Sequence, residues 1–587
     1  MRANNKLFTI YTSLMILCIG LASCRGAKIT TIAPFFTSPP ATLAAQNVQP
    51  ALNLTTIPAA NDILTIGAGW QEPWVRNFNP FYYQSIWYSR NCIYESLMVY
   101  NYKTGELLPW LATGYEWGEN SQTLTFTLRR GVKWSDGEPF GAEDVIATFK
   151  LLADHPDITG FAEYQHPIST LMSDFIADVS APDAFTVAFR FKSVNTLALY
   201  KLATEIIVPK HIWGQLEDPK GFANPDPVGT GPFTEVTVFE DKYVGLERIL
   251  QLERNPYYWQ EGKPYIQGVK FSSRHEENLL EDLTKGRLDW TLIEMPDIQK
   301  NFLDIDPSHY QVGLDTYYMN MLQLNTARPP FDNPDVRKAI SMGIDRQQIV
   351  DTFLKGYITP SNASGLGDRY RSWWNEEAIR AGSWVHYNAF QANALLDSLG
   401  FKKRGNGIRI TPTGKPMVYT LITDPGYPSH VTAAQVISQN LLNVGISVTV
   451  TTTDNWWEAF TTNDYDMALC PSGYGFTPYE FYFNLMSPSG TSLCGAKTNQ
   501  QANRYNSTEA GSLLDEFTQV SDPVQQKAIM DKIQTIFVED APTIPLYPDF
   551  WFYKYNTWRF TGFPSAEDPY ATGVLGNILV LLNVRPR

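Results

Sequence analysis

The residues best able to carry covalent or metal chemistry are few and scattered. Seven histidines stand at 155, 166, 211, 275, 309, 386 and 430. His275-Glu276-Glu277 opens like a zinc-binding helix, but the second imidazole such a site needs would fall at 279, where a leucine stands. Neither HExxH nor GxSxG occurs, so the zinc-protease and serine-hydrolase signatures are missing. The 60 acidic residues offer carboxylate pairs at many spacings and single out none. We therefore expect no catalytic residue, no metal and no cofactor, with a secreted hydrolase as the contrasting class.

Of the five cysteines, one carries the clearest chemistry. Arg2 and Lys6 precede an apolar run from Leu7 to Leu21 that Thr9, Thr12 and Ser13 interrupt. That run fits a signal-peptide core better than a membrane span, which needs ~20 apolar residues. It ends in Leu21-Ala22-Ser23-Cys24, which looks like a bacterial lipobox with Cys24 as the lipid-attachment residue. Residues 1–23 then read as a lipoprotein signal peptide, and the lipid is the only membrane anchor expected. Residues 24–60 are rich in Thr, Ala, Pro, Ser and Asn with almost no charge, and read as a disordered tether that cannot bury enough apolar surface to offset its ordering entropy. Cys92, among Ile93, Leu97 and Met98, reads as a core thiol, and Cys470 with Cys494 is a candidate disulfide outside the cytoplasm.

Loss of the leader removes two basic residues, leaving 44 against 60 acids and a net charge near −16. That balance argues against nucleic acid and against an anionic membrane surface. Charged residues make up 18% of the chain, below the ~25% of ordinary domains. Aromatics reach 13%, with 16 Trp and 31 Tyr, and aromatic-lined clefts are one place to put them. About 530 folding residues exceed one core and fit two or three domains.

The elements that must position these side chains are mixed α and β. Leu124, Phe126 and Leu128 alternate in "LTFTLRRGVKW", as do Phe185, Val187, Phe189 and Phe191 in "FTVAFRF"; both predict half-buried strands. Between them an Asp136-Gly137 turn leads into a helix with Val145, Phe149 and Leu152 on one face. Further on, "MVYTLITDPG", "HVTAAQVISQNLLNVG" and "ISVTVTT" predict a strand–helix–strand unit with Ala434, Ile437 and Leu441 inward. Pro334 suits a first helical turn, and Asp345 with Gln348 resembles a capping box after Gly343.

Seven stretches then occur in a recognisable order: "LTFTLRRGVKWSDGEPFGAEDVIATF", "PVGTGPF", "LERNPYYW", "GRLDW", "PPFDNPDVRKAISMGIDRQQIV", "ANALLDSLGF" and "IPLYP". On these the chain resembles family 5 of the bacterial extracellular solute-binding proteins, the oligopeptide-, dipeptide- and nickel-binding group of ABC importers. The bottom-up reading of the stretches is mostly fold punctuation; "GTGPF", for one, is a bend that brings backbone close to a neighbouring element. The resemblance implies an α/β fold, a two-lobe hinged clamp with an extra subdomain. The first lobe would comprise residues 61–94, 228–318 and 545–587, the extra subdomain 95–227, and the second lobe 319–544. Hinge strands are expected near Tyr318–Asn325 and Ala541–Tyr547.

The family's ligand contacts carry over to three places here. Trp74, Val75 and Arg76 precede "FNP"; Trp457 lies in "TDNWWEAF"; Tyr474 and Phe476 lie in "CPSGYGFTPYEF". Peptide-binding members commonly hold the ligand's ammonium with an Asp in that last loop, whereas the first acid here is Glu480, and no arginine lies between Ala459 and Tyr482. A buried ammonium needs a paired carboxylate, so local chemistry favours an uncharged ligand while the family favours a peptide. The implied function is ligand capture outside the cytoplasm, in the periplasm or on the cell surface, by a monomer that delivers to a membrane permease and its ATPase. A peptide is the principal ligand expected, with an oligosaccharide or a metal chelate as alternatives.

Overall fold

The computed structural model describes residues 62–587, apart from 69–74, 83–86, 157, 159–167, 242–247, 274–275, 294, 296, 354–355, 454, 463, 474 and 488–502. The signal peptide, Cys24 and the tether lie outside the described residues. Three larger sheets, of seven, five and four strands, organise the rest. In spatial order the seven-stranded sheet runs Tyr310–Asp315, Trp551–Asn556, Trp290–Leu292, Ile63–Ala68, Gly268–Ser273, Arg248–Arg254 and Phe233–Asp241. Its central strand, Ile63–Ala68, is parallel to both neighbours, and Leu64 and Ile66 are fully buried. Parallel pairing buries both faces of a strand, which is why this one reads as nearly continuous apolar sequence.

The five-stranded sheet runs Ser447–Thr452, Val418–Thr423, Met467–Gly473, Tyr318–Leu324 and Ile544–Pro548. Val418–Thr423 and Ser447–Thr452 pair in parallel on either side of the helix Pro428–Asn443, whose Ala434, Ile437 and Leu441 are buried as their spacing required. The four-stranded sheet joins Ala112–Trp117, Thr123–Leu128, Thr186–Phe191 and Ile176–Asp183, all antiparallel. Leu124, Phe126, Val187 and Phe189 point into its core and meet Val145 and Phe149 of the helix Ala142–Asp154. The helix Pro334–Met342 begins at its proline, with Asn333 accepting from the Asp335 amide. Only half of the capping box at Asp345 forms. Asp345 Oδ1 accepts from the Gln348 amide, but the Asp345 amide donates to Asn440 Oδ1, which leaves Gln348 to accept from Asn440 Nδ2.

Two of the family stretches turn out to join the four-stranded sheet to the seven-stranded one. Gly229 and Gly231 lie so close to residues 92–93 that a Cβ would meet Ile93 O at 1.8 Å and Cys92 O at 2.3 Å. Asn255 Nδ2 donates to the Gly231 carbonyl at 2.9 Å, which fixes that bend. The aromatic pair that follows serves Glu95, a carboxylate only 4% exposed. Trp110 Nε1 (2.6 Å) and the Tyr258 hydroxyl (3.1 Å) donate to its Oε1, and Trp259 Nε1 (3.0 Å) to its Oε2. Cys92 is fully buried beside them, and burial pushes its thiol pKa up, as a core thiol requires.

Burial also pushes the Glu95 carboxyl up to about 7, against the pull of its hydrogen-bond donors. The folded state thus holds a proton that an unfolded glutamate, near ~4.3, has already released. Its stabilisation is complete below that value and is lost as pH rises toward 7. Thermal unfolding of wild type and Glu95→Gln should show the variant gaining on wild type between about pH 5 and about pH 8, by at most ~3 kcal/mol. A stability difference independent of pH would mean that Glu95 is ionised throughout.

Candidate functional site

The site begins where two strands change sheets. Tyr310–Asp315 and Trp551–Asn556 pair antiparallel in the seven-stranded sheet. Tyr318–Leu324 and Ile544–Pro548 continue the same two chains in the five-stranded one. The connections are Thr316-Tyr317 and Asp549-Phe550, each a few residues nearer the seven-stranded sheet than the sequence implied. The Asp549 amide donates to Tyr318 O at 2.8 Å and carries the ribbon across. Asp315 is 2% exposed and accepts from the Gly573 amide (2.5 Å) and the Tyr317 hydroxyl (3.3 Å). Burial pushes its carboxyl up to about 6, and the nearby Lys103 ammonium pulls the other way. Lys103 belongs to the turn after strand Met98–Asn101 and donates to Leu314 O at 3.0 Å, so that turn reaches the ribbon directly.

The second component is the loop after Met467–Gly473, a strand whose Gly473 lies opposite Tyr318. Gly475 O accepts from the Arg369 guanidinium (2.6 Å) and the Tyr370 hydroxyl (2.5 Å). Phe476 O accepts from the Tyr100 hydroxyl at 2.7 Å. The Phe476 ring stacks on Tyr200 (centroids 5.4 Å apart, planes at 7°) and meets the Tyr100 ring edge-on at 5.0 Å. Arg369 lies 5.9 Å from the Tyr102 ring and 4.6 Å from the Tyr370 ring, within cation–π reach. Thr477 and Glu480 then form a full capping box on the helix Pro478–Met486.

Opposite charges are gathered around these rings. Burial raises the Glu480 and Glu205 carboxyls and lowers Lys201 and Arg90. In each case the countercharge, Lys201 for Glu480 and Arg90 for Glu205, works against the shift. Tyr102 and Tyr318 remain 41% and 42% exposed, so this place presents phenol rings to solvent above a set of buried charges. Such a surface can stack on planar or ring-shaped groups and hold a charged or hydroxylated end.

The residues expected from sequence fall apart into separate surroundings. Trp74, Tyr474 and Cys494 lie outside the described residues. Val75 is 59% exposed, and Arg76 turns to Pro225 O (3.2 Å) and Asp226 (3.1 Å). Trp457 is half-buried on the short helix Trp456–Thr461, edge-on to Trp456 at 5.4 Å and packed against Phe460. Cys470 is buried in the same small cluster. Among the described residues, Arg76, Trp457 and Phe476 have no bonding or ring partner in common. Sequence reasoning missed Tyr100, Tyr102, Tyr200 and Arg369. Their only local signal was the spacing of Tyr100 and Tyr102, two residues apart, although the strand Met98–Asn101 ends between them and Tyr102 stands in the turn. Among the described residues, no group of three or more His, Cys, Asp or Glu is placed to hold a metal ion, and no helix is long and apolar enough to cross a membrane.

Residues 106–493 match "Bacterial extracellular solute-binding proteins, family 5 Middle", and the chain belongs to that family. Among characterised sequences it is 28% identical over 389 residues to a probable ABC transporter-binding protein of Deinococcus radiodurans, covering 60% of this chain and 63% of that one. It is 26% identical over 385 residues to a putative ABC transporter peptide-binding protein of Brucella ovis, covering 64% and 66%. The chain thus spans a little under two thirds of the length of these relatives. Among solved structures it resembles a periplasmic oligopeptide-binding protein of Thermotoga maritima at 24% identity, with a TM-score of 0.74 over 90% of this chain and all of that one. Against the mannohexaose-bound form of that protein the TM-score is 0.65, covering 90% of this chain and 99% of that one. The fold is the two-lobe clamp of these binding proteins.

Gly475 has no room for a side chain, since a Cβ there would lie 2.1 Å from Glu480 Cδ. Gly475→Ala should therefore push Glu480 out of its capping box and cost ~1–2 kcal/mol in denaturant unfolding. The loss should largely disappear in a Glu480→Ala background. An equal loss there would mean that something other than Glu480 requires the glycine.

Proposed function

We propose that this chain is the extracytoplasmic binding component of an ABC importer for peptides, passing its ligand to a membrane permease and ATPase. The observation that carries this reading is the pair of two-residue connections between two sheets, set beside the site built from Tyr102, Tyr318, Phe476 and Arg369. Short connections of this kind act as a hinge, and closure gains free energy only from ligand contacts that the open form lacks. In this reading residues 61–94, 228–318 and 545–587 form the first lobe, 95–227 the extra subdomain and 319–544 the second lobe, except that strand Ile544–Pro548 pairs within the five-stranded sheet, which moves that boundary to residue 549. A lipid on Cys24 would hold the monomer at the membrane through the 24–60 tether.

A peptide is favoured because the arginine absent from residues 459–482 is supplied from elsewhere, alongside the Glu480 carboxylate that the segment itself carries. Arg369 stands over the loop at Gly475, and Lys201 and Glu480 flank it. The Brucella relative's name points the same way. An oligosaccharide is the second reading, supported by the tyrosine rings and by the mannohexaose bound to the Thermotoga relative.

Native mass spectrometry of the purified protein should reveal a retained peptide, and calorimetry should show peptide binding. Binding of mannohexaose with no response to any peptide would replace the first reading by the second. Trp457→Ala should weaken ligand binding about thirtyfold, equivalent to ~2 kcal/mol, with little change in the ligand-free melting temperature. Unchanged affinity with a lower melting temperature would make Trp457 a packing residue. Separately, Cys24→Ser should move the protein from the detergent phase to the aqueous phase, and unaltered partitioning would remove the lipid anchor.

A further inference from the structure

The extra subdomain and the second lobe are not neighbours along the hinge. The chain leaves the subdomain, runs through the seven-stranded sheet, and reaches the second lobe only across Thr316-Tyr317. Yet the two bodies touch at two separate places. One is the Phe476 loop, where Tyr100 holds the backbone, Tyr200 stacks on the ring and Tyr102 lies 6.4 Å away. The turn carrying Tyr102 also abuts the Arg369 backbone, since a Cβ on Gly105 would come within 2.9 Å of Arg369 O. The other is on the loop between the helices Thr508–Thr518 and Pro523–Asp540. There the Thr196 amide donates to Thr518 O at 2.8 Å, and the Ser121 and Ser521 hydroxyls lie 2.6 Å apart.

We propose that the Phe476 loop is a latch, inserted into a three-tyrosine socket on the extra subdomain, that holds the two bodies together before any ligand arrives. The physical argument is rigidity. Each body has its own packed core, so they move as units about the short connections, and breaking one contact loosens the other. A ring stacked on one side and met edge-on from another has its faces covered only while the bodies are together. Ligand affinity would then depend on the latch beyond any contact that Phe476 itself makes with ligand, because the population of the closed arrangement enters the apparent dissociation constant. This proposal adds regulation to the site of the transport reading, but its test uses no ligand. Failure of the latch and failure of that reading are therefore distinguishable.

The test is hydrogen exchange at the Thr196 amide in the ligand-free full chain, with far-UV circular dichroism to check folding. Thr196 lies four residues before Tyr200 and its carbonyl accepts from the Leu199 amide, so Phe476→Ala and Tyr100→Phe, which leave that helix untouched, are the variants through which its protection reports the second contact alone. Phe476→Ala should speed its exchange about tenfold or more, and Tyr200→Ala should do the same. The double variant should add little to either single one, because each already releases the latch. Small-angle scattering should show a larger radius of gyration in all three. Tyr100→Phe keeps every ring and removes only the hydrogen bond to Phe476 O, so it folds even if the alanine variants do not, and it should give a several-fold acceleration. Unchanged Thr196 exchange in a folded Phe476→Ala protein, or in Tyr100→Phe where the alanine variants unfold, would overturn the latch and reduce the socket to local packing. Independent, additive effects of Phe476→Ala and Tyr200→Ala would overturn it as well.

Discussion

Two antiparallel strands leave the seven-stranded sheet and, after two residues each, enter the five-stranded one. Connections that short keep the two bodies together but resist rotation weakly, since small changes in a few backbone dihedrals reorient one sheet against the other. Whatever holds a particular arrangement must therefore act outside the connections. Residues between Tyr100 and Tyr200 supply such contacts: Lys103 reaches Leu314 O beside the ribbon, three tyrosines surround Phe476, and the Thr196 amide donates to Thr518 O. A ligand adds to this background, and it shifts the arrangement only by the difference in its contacts between open and closed forms.

Assembling lobes from segments so far apart in the chain places heavy demands on buried polar groups. Asp289 is 2% exposed and receives the Thr65 amide at 2.8 Å together with Arg559, so one carboxylate ties strand Ile63–Ala68 to the C-terminal segment. Burial pushes Asp289 up to about 6 despite that guanidinium. Among the described residues no carboxylate pairs with Arg346. Its donors reach Pro545 O, Val385 O and the Ser341 hydroxyl at 2.6–2.7 Å, and burial lowers its pKa to about 9. Removing a partner from such a group leaves a buried charge unsatisfied, which costs more than the intact bond ever contributed. These groups make the pairing of distant segments specific, and they stabilise it only modestly.

Several of these features were legible in the sequence. The alternation of Leu124, Phe126 and Leu128, the turn at Asp136-Gly137 and the strand–helix–strand unit around Ala434 all depend on residues within one or two turns of each other, so composition and spacing suffice. Gly137 does adopt positive φ, at 93°, and the bend at Gly229 and Gly231 does lie against neighbouring backbone. The order of seven motifs identified the family and with it the clamp. Phe476 was legible as an aromatic in a contact loop, but Tyr100 is 376 residues away from it, and nothing in either neighbourhood names the other.

Sequence by itself thus determined the elements and the family, because local sterics and burial periodicity leave their imprint on neighbouring residues. Only the tertiary structure decided which side chains meet between the lobes. It brought Arg369 to Gly475 O, so a cation from a distant segment stands at a loop that carries none itself, and it turned Arg76 toward Asp226. It also revealed that Glu95 serves "LERNPYYW" by accepting from Tyr258 and Trp259. The reason is physical: contacts between bodies joined by two short connections depend on how whole cores pack, and that packing sums over many residues without a pattern at any one of them.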